Sequence, residues 1–225
     1  MCGRFVLNIN PAMLEAHFDL EQSCPAFLPS FNIPPGSDVP VIWQKPGDGR
    51  ACSRMHWGLI PHWSRTTTSK YKMINARAES LRDKPAYRDA FRKRRCLIPT
   101  TGFYEWHETA HGKQPYFIGG REKQLFAFAG LWEYWEGEHT LNSFTIVTTI
   151  ANKMIASIHE RMPVILAPAD YQRWLEVENQ TEDELDDLLM PVDLDWLELY
   201  PVDTAVNSPR HDSADLLERK ADLFR

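Results

Sequence analysis

The second residue of this 225-residue chain is a cysteine, Cys2. Its side chain is small, so an aminopeptidase is expected to remove Met1 and leave Cys2 with a free α-amine. Amine and thiol together form a 1,2-aminothiol, whose chemistry neither group has alone. An α-amine has a pKa of about 8 and is partly neutral at physiological pH. A neutral amine attacks an aldehyde to give a Schiff base, and the neighbouring thiol then closes onto the imine carbon as a thiazolidine ring. That closure is intramolecular, which favours the ring strongly. The competing reading is a thiol tucked under the first strand of a sheet, since unreactive buried cysteines are common.

The other cysteines, Cys24, Cys52 and Cys96, are scattered, with no Cys-x-x-Cys pair. A zinc site needs close ligand pairs, and a disulfide framework belongs to shorter, secreted chains. The spacing therefore predicts no metal and no cofactor, with all three behaving as small buried hydrophobes. The N-terminus lacks the basic flank and apolar run of a secretion signal, and no apolar stretch is long enough to span a bilayer. A cytoplasmic location with reduced thiols is expected, nucleoid-associated if the host is bacterial, with no membrane partner.

The apolar fraction of 43% and charged fraction of 25% are those of an ordinary globular protein. The net charge of −6 speaks against a broad polyanion surface, but it is unevenly spread. Residues 1–110 carry 15 Lys and Arg against 10 Asp and Glu, whereas residues 111–225 carry 10 against 21. From Arg173 to Arg210 a long acidic run meets no intervening Lys or Arg. Any nucleic-acid surface must be local and built largely from the first half. Arg92-Lys93-Arg94-Arg95 is the obvious basic run, but it closes a predicted helix, where cations also favour the dipole.

These groups need a frame. Neither repeats nor a Gly/Ser linker interrupt the chain, so one domain over 1–225 is expected. A short helix follows Asn10-Pro11, with Asn10 as cap and Pro11 at the first position. Residues 38–43 and 51–57 read as strands joined by a turn at Pro46-Gly47-Asp48-Gly49, and 84–93 as a helix. Aromatic and β-branched runs at 96–98, 103–106, 116–118, 126–132, 144–149 and 164–166 are further strands. Helix is expected over 168–177, after the capping box Thr181-x-x-Glu184, and at 213–220. Strands outnumber helices without regular alternation. The class is α+β, on a mostly antiparallel, barrel-like sheet with peripheral helices.

Several segments also carry a resemblance. Met1-Cys2-Gly3-Arg4-Phe5 is followed in order by Phe31-Asn32-Ile33-Pro34-Pro35-Gly36, Trp57-Gly58-Leu59-Ile60-Pro61-His62-Trp63 and Ile74-Asn75-Ala76-Arg77-Ala78-Glu79. Gly102-Phe103-Tyr104-Glu105-Trp106, Ile158-His159-Glu160-Arg161-Met162-Pro163-Val164 and Ala205-Val206-Asn207 complete the set. Over about residues 1–208 the chain resembles the SRAP family, the SOS-response-associated peptidases that process abasic sites. The resemblance implies Cys2 as nucleophile toward the C1′ aldehyde of an abasic deoxyribose. It implies Glu105 as proton acceptor beside the amine, and His159 as general acid/base for opening the sugar and releasing the link. Asn75 would hold the sugar oxygen or the amine, with Thr148 a weaker candidate for the same pocket. Arg4, Arg77 and Arg161 would lie along DNA phosphates. Asn32 and the Pro34-Pro35 turn would lie against the DNA, and Trp63 would support a base or sugar by sequence-tolerant stacking. The implied partner is single-stranded DNA carrying abasic sites, with replication-fork proteins left open and a monomer as the default state.

Three functions compete on this basis. One is a covalent abasic-site cross-linker, in which a Schiff-base intermediate also permits weak lyase activity. A second is a peptidase or amidohydrolase with an N-terminal cysteine nucleophile, including removal of Met1. The third is a non-catalytic single-strand binder, for which Cys2 would be dispensable.

Overall fold

A computed structural model describes all residues except 1, 46, 48, 68–72, 111, 179 and 222–225, and the side chain of Lys123. Met1 and two residues of the expected 46–49 turn thus fall outside the described residues.

Five strands close a barrel: β3 (Asp38–Gln44), β4 (Arg50–Trp57), β6 (Arg95–Thr100), β9 (Phe126–Glu136) and β10 (Thr140–Ile150). The ring runs β3–β4–β10–β9–β6 and returns to β3. Every pairing in the ring is antiparallel except β4 with β10. Strand β6 (Arg-Cys-Leu-Ile-Pro-Thr) is buried throughout, which explains why its residues do not alternate. Short strands extend the barrel from β10 and β9: β5 (Asn75–Arg77), β11 (Arg161–Pro163) and β12 (Ile165–Leu166).

A second, antiparallel sheet has the order β13 (Leu197–Pro201), β8 (Gly112–Gly120), β7 (Gly102–Thr109), β1 (Phe5–Leu7) and β2 (Ser30–Ile33). One apolar cluster spans both sheets. Phe5 links them, its ring lying 5.1 Å from that of Trp57 and 6.2 Å from that of Phe128, both in edge-to-face geometry. The N-terminal strand is therefore pinned in the barrel's apolar interior three residues after Cys2.

The helices are peripheral, as the sequence predicts. Helix α1 (Pro11–Phe18) has Pro11 at its first turn and an Asn10 side chain accepting from Met13 N at 2.9 Å. Helix α2 spans Pro85–Lys93, and α3 (Tyr171–Leu175) follows a 3-10 turn at Pro168–Asp170. The capping box at Thr181 and Glu184 is formed, though it opens only short 3-10 turns. The helix expected at 213–220 is reduced to one 3-10 turn, Ala214–Leu217. Lys220 N instead donates to Pro201 O, which draws the chain back to β13.

A second correction concerns the cysteines. Cys24 and Cys52 are joined in a disulfide, with Cα atoms 5.1 Å apart, and only Cys2 and Cys96 are free and buried. Local spacing could not reveal this pair, because it is the fold that sets the segment after α1 against strand β4. No helix of the described residues is long and apolar enough to cross a membrane.

Candidate active site

Strand pairing places the first catalytic candidates. Phe5 pairs with Phe103, and Tyr104 N donates to Arg4 O at 3.0 Å. Cys2 is wholly buried, and its thiol donates to Arg4 O at 3.7 Å. Burial first, and the negative charge of Glu105 second, push this thiol well above its ordinary range. Glu105 is itself only 2% exposed.

Asn75 arrives from the barrel. Strand β5 runs parallel to β10, with Asn75 opposite Ile146. Trp57 Nε1 donates to Ile74 O at 2.9 Å, and Tyr87 Oη to Asn75 O at 3.3 Å, so the backbone on both sides of this side chain is tied down. Asn75 Nδ2 then donates to the Cys2 carbonyl at 2.8 Å. Its Oδ1 is buried and has no hydrogen-bond partner among the described residues.

His159 follows a 3-10 turn at Ile155–Ser157. The Asn152 side chain builds that turn, accepting from Ile155 N at 3.0 Å and donating to Val192 O at 3.0 Å. Arg161 N donates to His159 Nδ1 at 2.9 Å, and Arg161 O lies 3.2 Å from the same atom. A neutral ring accepting there carries its proton on Nε2, and a protonated ring can donate to the carbonyl instead. The imidazole is thus held in place in both states, as proton transfer requires.

Glu105 and His159 share one cleft of about 450 Å³, lined also by Trp106, Lys113 and Asn207. Cys2 is not part of its lining. Lys113 is exposed on β8, opposite Glu108 of β7, and nothing in its local sequence marks it as a cleft residue. The cleft combines a buried carboxylate, an imidazole, an ammonium and an indole, next to a buried thiol. Such a set can move protons around an aldehyde adduct and hold an adjacent anion.

Several residues expected on DNA have internal partners. Arg4 donates to Asn32 Oδ1 at 2.8 Å, Val206 O at 3.1 Å and Asn207 O at 3.4 Å. Burial is the main reason its guanidinium pKa is lowered. Asn32 is 1% exposed, and its Nδ2 donates to Val206 O, Ser208 O and His211 O at 3.2, 3.0 and 2.8 Å. The Asn32 side chain is turned inward, and its polar atoms hold the 206–211 segment. That segment in turn presents Asn207 Oδ1, which accepts from Trp106 Nε1 at 2.7 Å in the cleft wall.

Arg161 is also occupied. Its fork meets both carboxylate oxygens of Glu79, one at 2.9 Å, and it donates to Thr148 O at 2.7 Å. Thr148 is fully buried, its hydroxyl donating to Ala76 O at 3.4 Å behind strand β5. Of the remaining candidates, Arg77 is exposed, Pro35 is half-buried in its turn, and Trp63 is 57% exposed rather than core. Gly36, next to Pro35, has φ +90°, a conformation that favours glycine where the chain turns into β3.

The three arginines of the basic run 92–95 have partners within the fold, while Lys93 is exposed. Arg92 pairs with Glu182, and Arg94 donates to buried Glu133 at 2.7 Å. Arg95 is 3% exposed and caps the carbonyls of Phe91, Trp174 and Glu176; burial lowers its pKa to about 10. Much of the acidic run is answered by these groups and by Arg82 and Arg173. Among the described residues no cluster of His, Cys, Asp and Glu could hold a metal ion.

Comparison with known proteins finds likenesses over nearly the whole chain. The model of the SOS response associated peptidase (SRAP) family matches residues 1–209. The abasic site processing protein YoaM of Bacillus subtilis is 41% identical over 223 residues, which cover 97% of this chain and 98% of that protein. The abasic site processing protein HMCES of Xenopus tropicalis is 32% identical, over 85% of this chain and 66% of its own length. A crystal structure of a protein from Bacteroides thetaiotaomicron has the same fold, with a TM-score of 0.87 and 25% identity, covering 98% of this chain and all of that one.

Proposed function

The chain belongs to the SRAP family, and from that premise we propose that it processes abasic sites in DNA by forming a covalent link through Cys2. The observation that carries the reading is the hydrogen bond from Asn75 to the backbone of buried Cys2, whose thiol feels the charge of Glu105, a residue that shares a cleft with His159. YoaM and HMCES, relatives along nearly all of this chain's length, are named for abasic site processing.

Removal of Met1 frees the Cys2 amine. The amine nitrogen adds to the C1′ aldehyde of the open sugar, and loss of one water gives the imine. The thiol sulfur then adds to the imine carbon, and its proton passes to the imine nitrogen, closing the thiazolidine. Overall one C–N and one C–S bond form and one water leaves. A thiol held neutral by burial needs a proton acceptor as it adds, a task suited to Glu105. His159, oriented through Nδ1, presents Nε2 for proton transfer to and from the sugar oxygen as the ring opens. Asn75 Oδ1, buried without a hydrogen-bond partner among the described residues, would accept from the freed amine. The lesion strand would be single-stranded, with Arg77 and Lys113 meeting phosphates and Trp63 a base. Strand cleavage from the imine, and autocatalytic release of Met1, would draw on the same groups.

The test is incubation of the Met1-free protein with single-stranded DNA carrying one abasic site, followed by a denaturing gel. A heat-stable shifted band that needs both the lesion and Cys2 is expected. Absence of the band, with loss of Met1 confirmed by mass, would overturn the reading in favour of a peptidase.

A further inference from the structure

Trp63 stands on a turn, and the turn is held by the barrel. The excursion that carries it leaves the barrel at Leu59 and returns at Met73, where Leu59 N donates to Met73 O at 3.1 Å, two residues before Asn75. Ser64 N donates to Pro61 O at 2.8 Å, closing a tight turn around His62 and Trp63. Ser143 Oγ accepts from Ile60 N at 2.9 Å, and Trp135 Nε1 donates to Ser64 O at 2.8 Å, fixing both ends of the turn to β10 and β9.

The third tie runs through a buried carboxylate. Glu133, on β9, is 2% exposed. One of its oxygens accepts from Arg94 at 2.7 Å, while the other is buried without a hydrogen bond among the described residues. That second oxygen lies 3.3 Å from His62 Nδ1. A carboxylate oxygen buried without a partner is costly, so the contact holds His62 where it stands. The next residue, Trp63, is left 57% exposed on a turn whose backbone cannot swing freely. A large indole kept exposed on a fixed turn suits a stacking platform, because stacking is lost if the ring must be ordered on binding.

We propose that His62, anchored by the Arg94–Glu133 pair, is a positioning residue that sets Trp63 as a platform for a nucleobase of the DNA strand. The inference rests on the DNA reading above but not on the covalent step. It explains a further part of the basic run, since Arg94 serves the platform from inside the fold.

The experiment measures two quantities in parallel. One is the dissociation constant for a single-stranded oligonucleotide containing a tetrahydrofuran abasic analogue, which has no aldehyde. The other is the maximal cross-linking rate on a natural abasic site. His62→Ala is expected to weaken binding roughly five-fold, the equivalent of one lost polar contact, and to leave the maximal rate unchanged. His62→Gln, whose amide can still donate to Glu133, restores binding. Trp63→Ala weakens binding roughly ten-fold, and the double variant His62→Ala/Trp63→Ala is no weaker than Trp63→Ala alone. Unchanged binding by His62→Ala, or losses that multiply in the double variant, would overturn the proposal. Since the analogue cannot cross-link, failure of the covalent reading shows separately, as a missing band with intact binding. His62 is half exposed, so its variants are expected to fold, and a thermal melt confirms it.

Discussion

Asn75 Nδ2 donates to the Cys2 carbonyl at 2.8 Å, while Asn75 Oδ1 is buried without a hydrogen-bond partner among the described residues. One amide thus fixes the Cys2 backbone and keeps an acceptor unpaired. Leaving a polar atom unpaired costs of order 1–3 kcal/mol, a cost that makes sense where a reacting group later satisfies it. Asn75→Ala is expected to slow cross-linking by roughly ten-fold or more while lowering stability by only about 1 kcal/mol. Asn75→Asp keeps an acceptor but cannot donate to Cys2 O when ionised, so it too should be slow. Rates from denaturing gels and urea midpoints on the same preparations check both statements. An Asn75→Ala protein as fast as the parent would remove the amide from the mechanism.

Asn32 and Arg4 give the opposite pattern: residues expected on DNA whose polar atoms make internal contacts. Asn32→Ala removes one acceptor for Arg4 and three donor contacts to the 206–211 segment. A loss of about 2 kcal/mol of stability is expected, because buried carbonyls lose their partner. If Asn32 touched DNA directly, binding would fall in proportion while the melting temperature stayed put. Thermal melts and DNA titrations on the one variant separate the two roles.

The division between what the sequence reveals and what it hides follows from the range of each interaction. The family is legible because the segments around Cys2, Asn75, Glu105 and His159 carry both residue type and order, and the strand runs at 38–43, 103–106 and 126–132 are long enough to read. Strands of three to five residues such as β1, β5, β11 and β13 are not, because they are held by partners far along the chain rather than by local propensity. Closure of the barrel through the parallel β4–β10 contact is likewise a long-range event. The fate of a charge is the least readable property. Arg94 and Lys113 look alike as surface cations in the sequence, yet one faces a buried carboxylate and the other an open cleft.

Lys113 offers a direct electrostatic test. It lines the cleft with Glu105 and His159, and it makes no ion pair of 4 Å or less among the described residues. If it meets a phosphate, Lys113→Ala should weaken binding to single-stranded DNA at low salt. It should also reduce the slope of log affinity against log salt by about 0.7, the share of one phosphate. The cross-linking rate at saturating DNA should stay unchanged. An unaltered slope would reduce Lys113 to an ordinary surface lysine, and a slower rate at saturation would move it into the chemistry.

Arg161 is the second-half arginine whose partner can be titrated. Its guanidinium is 9% exposed and meets Glu79, whose hydrogen bond from Arg161 is the main reason its carboxyl lies below the usual range. A depressed carboxyl pKa contributes stability that is present above the unfolded value, about 4.3, and is lost as pH falls through the folded value. Glu79→Gln should therefore cost stability at pH 7, about 1 kcal/mol once screening at the half-exposed Glu79 is allowed for. The gap between parent and variant should close once the pH falls below the depressed folded value, where the parent's carboxyl is neutral as well. Urea midpoints at the two pH values make the comparison. In DNA titrations at pH 7 the same variant, with its Arg161 fork released from the carboxylate, should bind single strands more tightly if Arg161 can turn toward a phosphate. Unchanged or weaker binding would mean that Arg161 serves to hold strand β11 and the His159 ring above it.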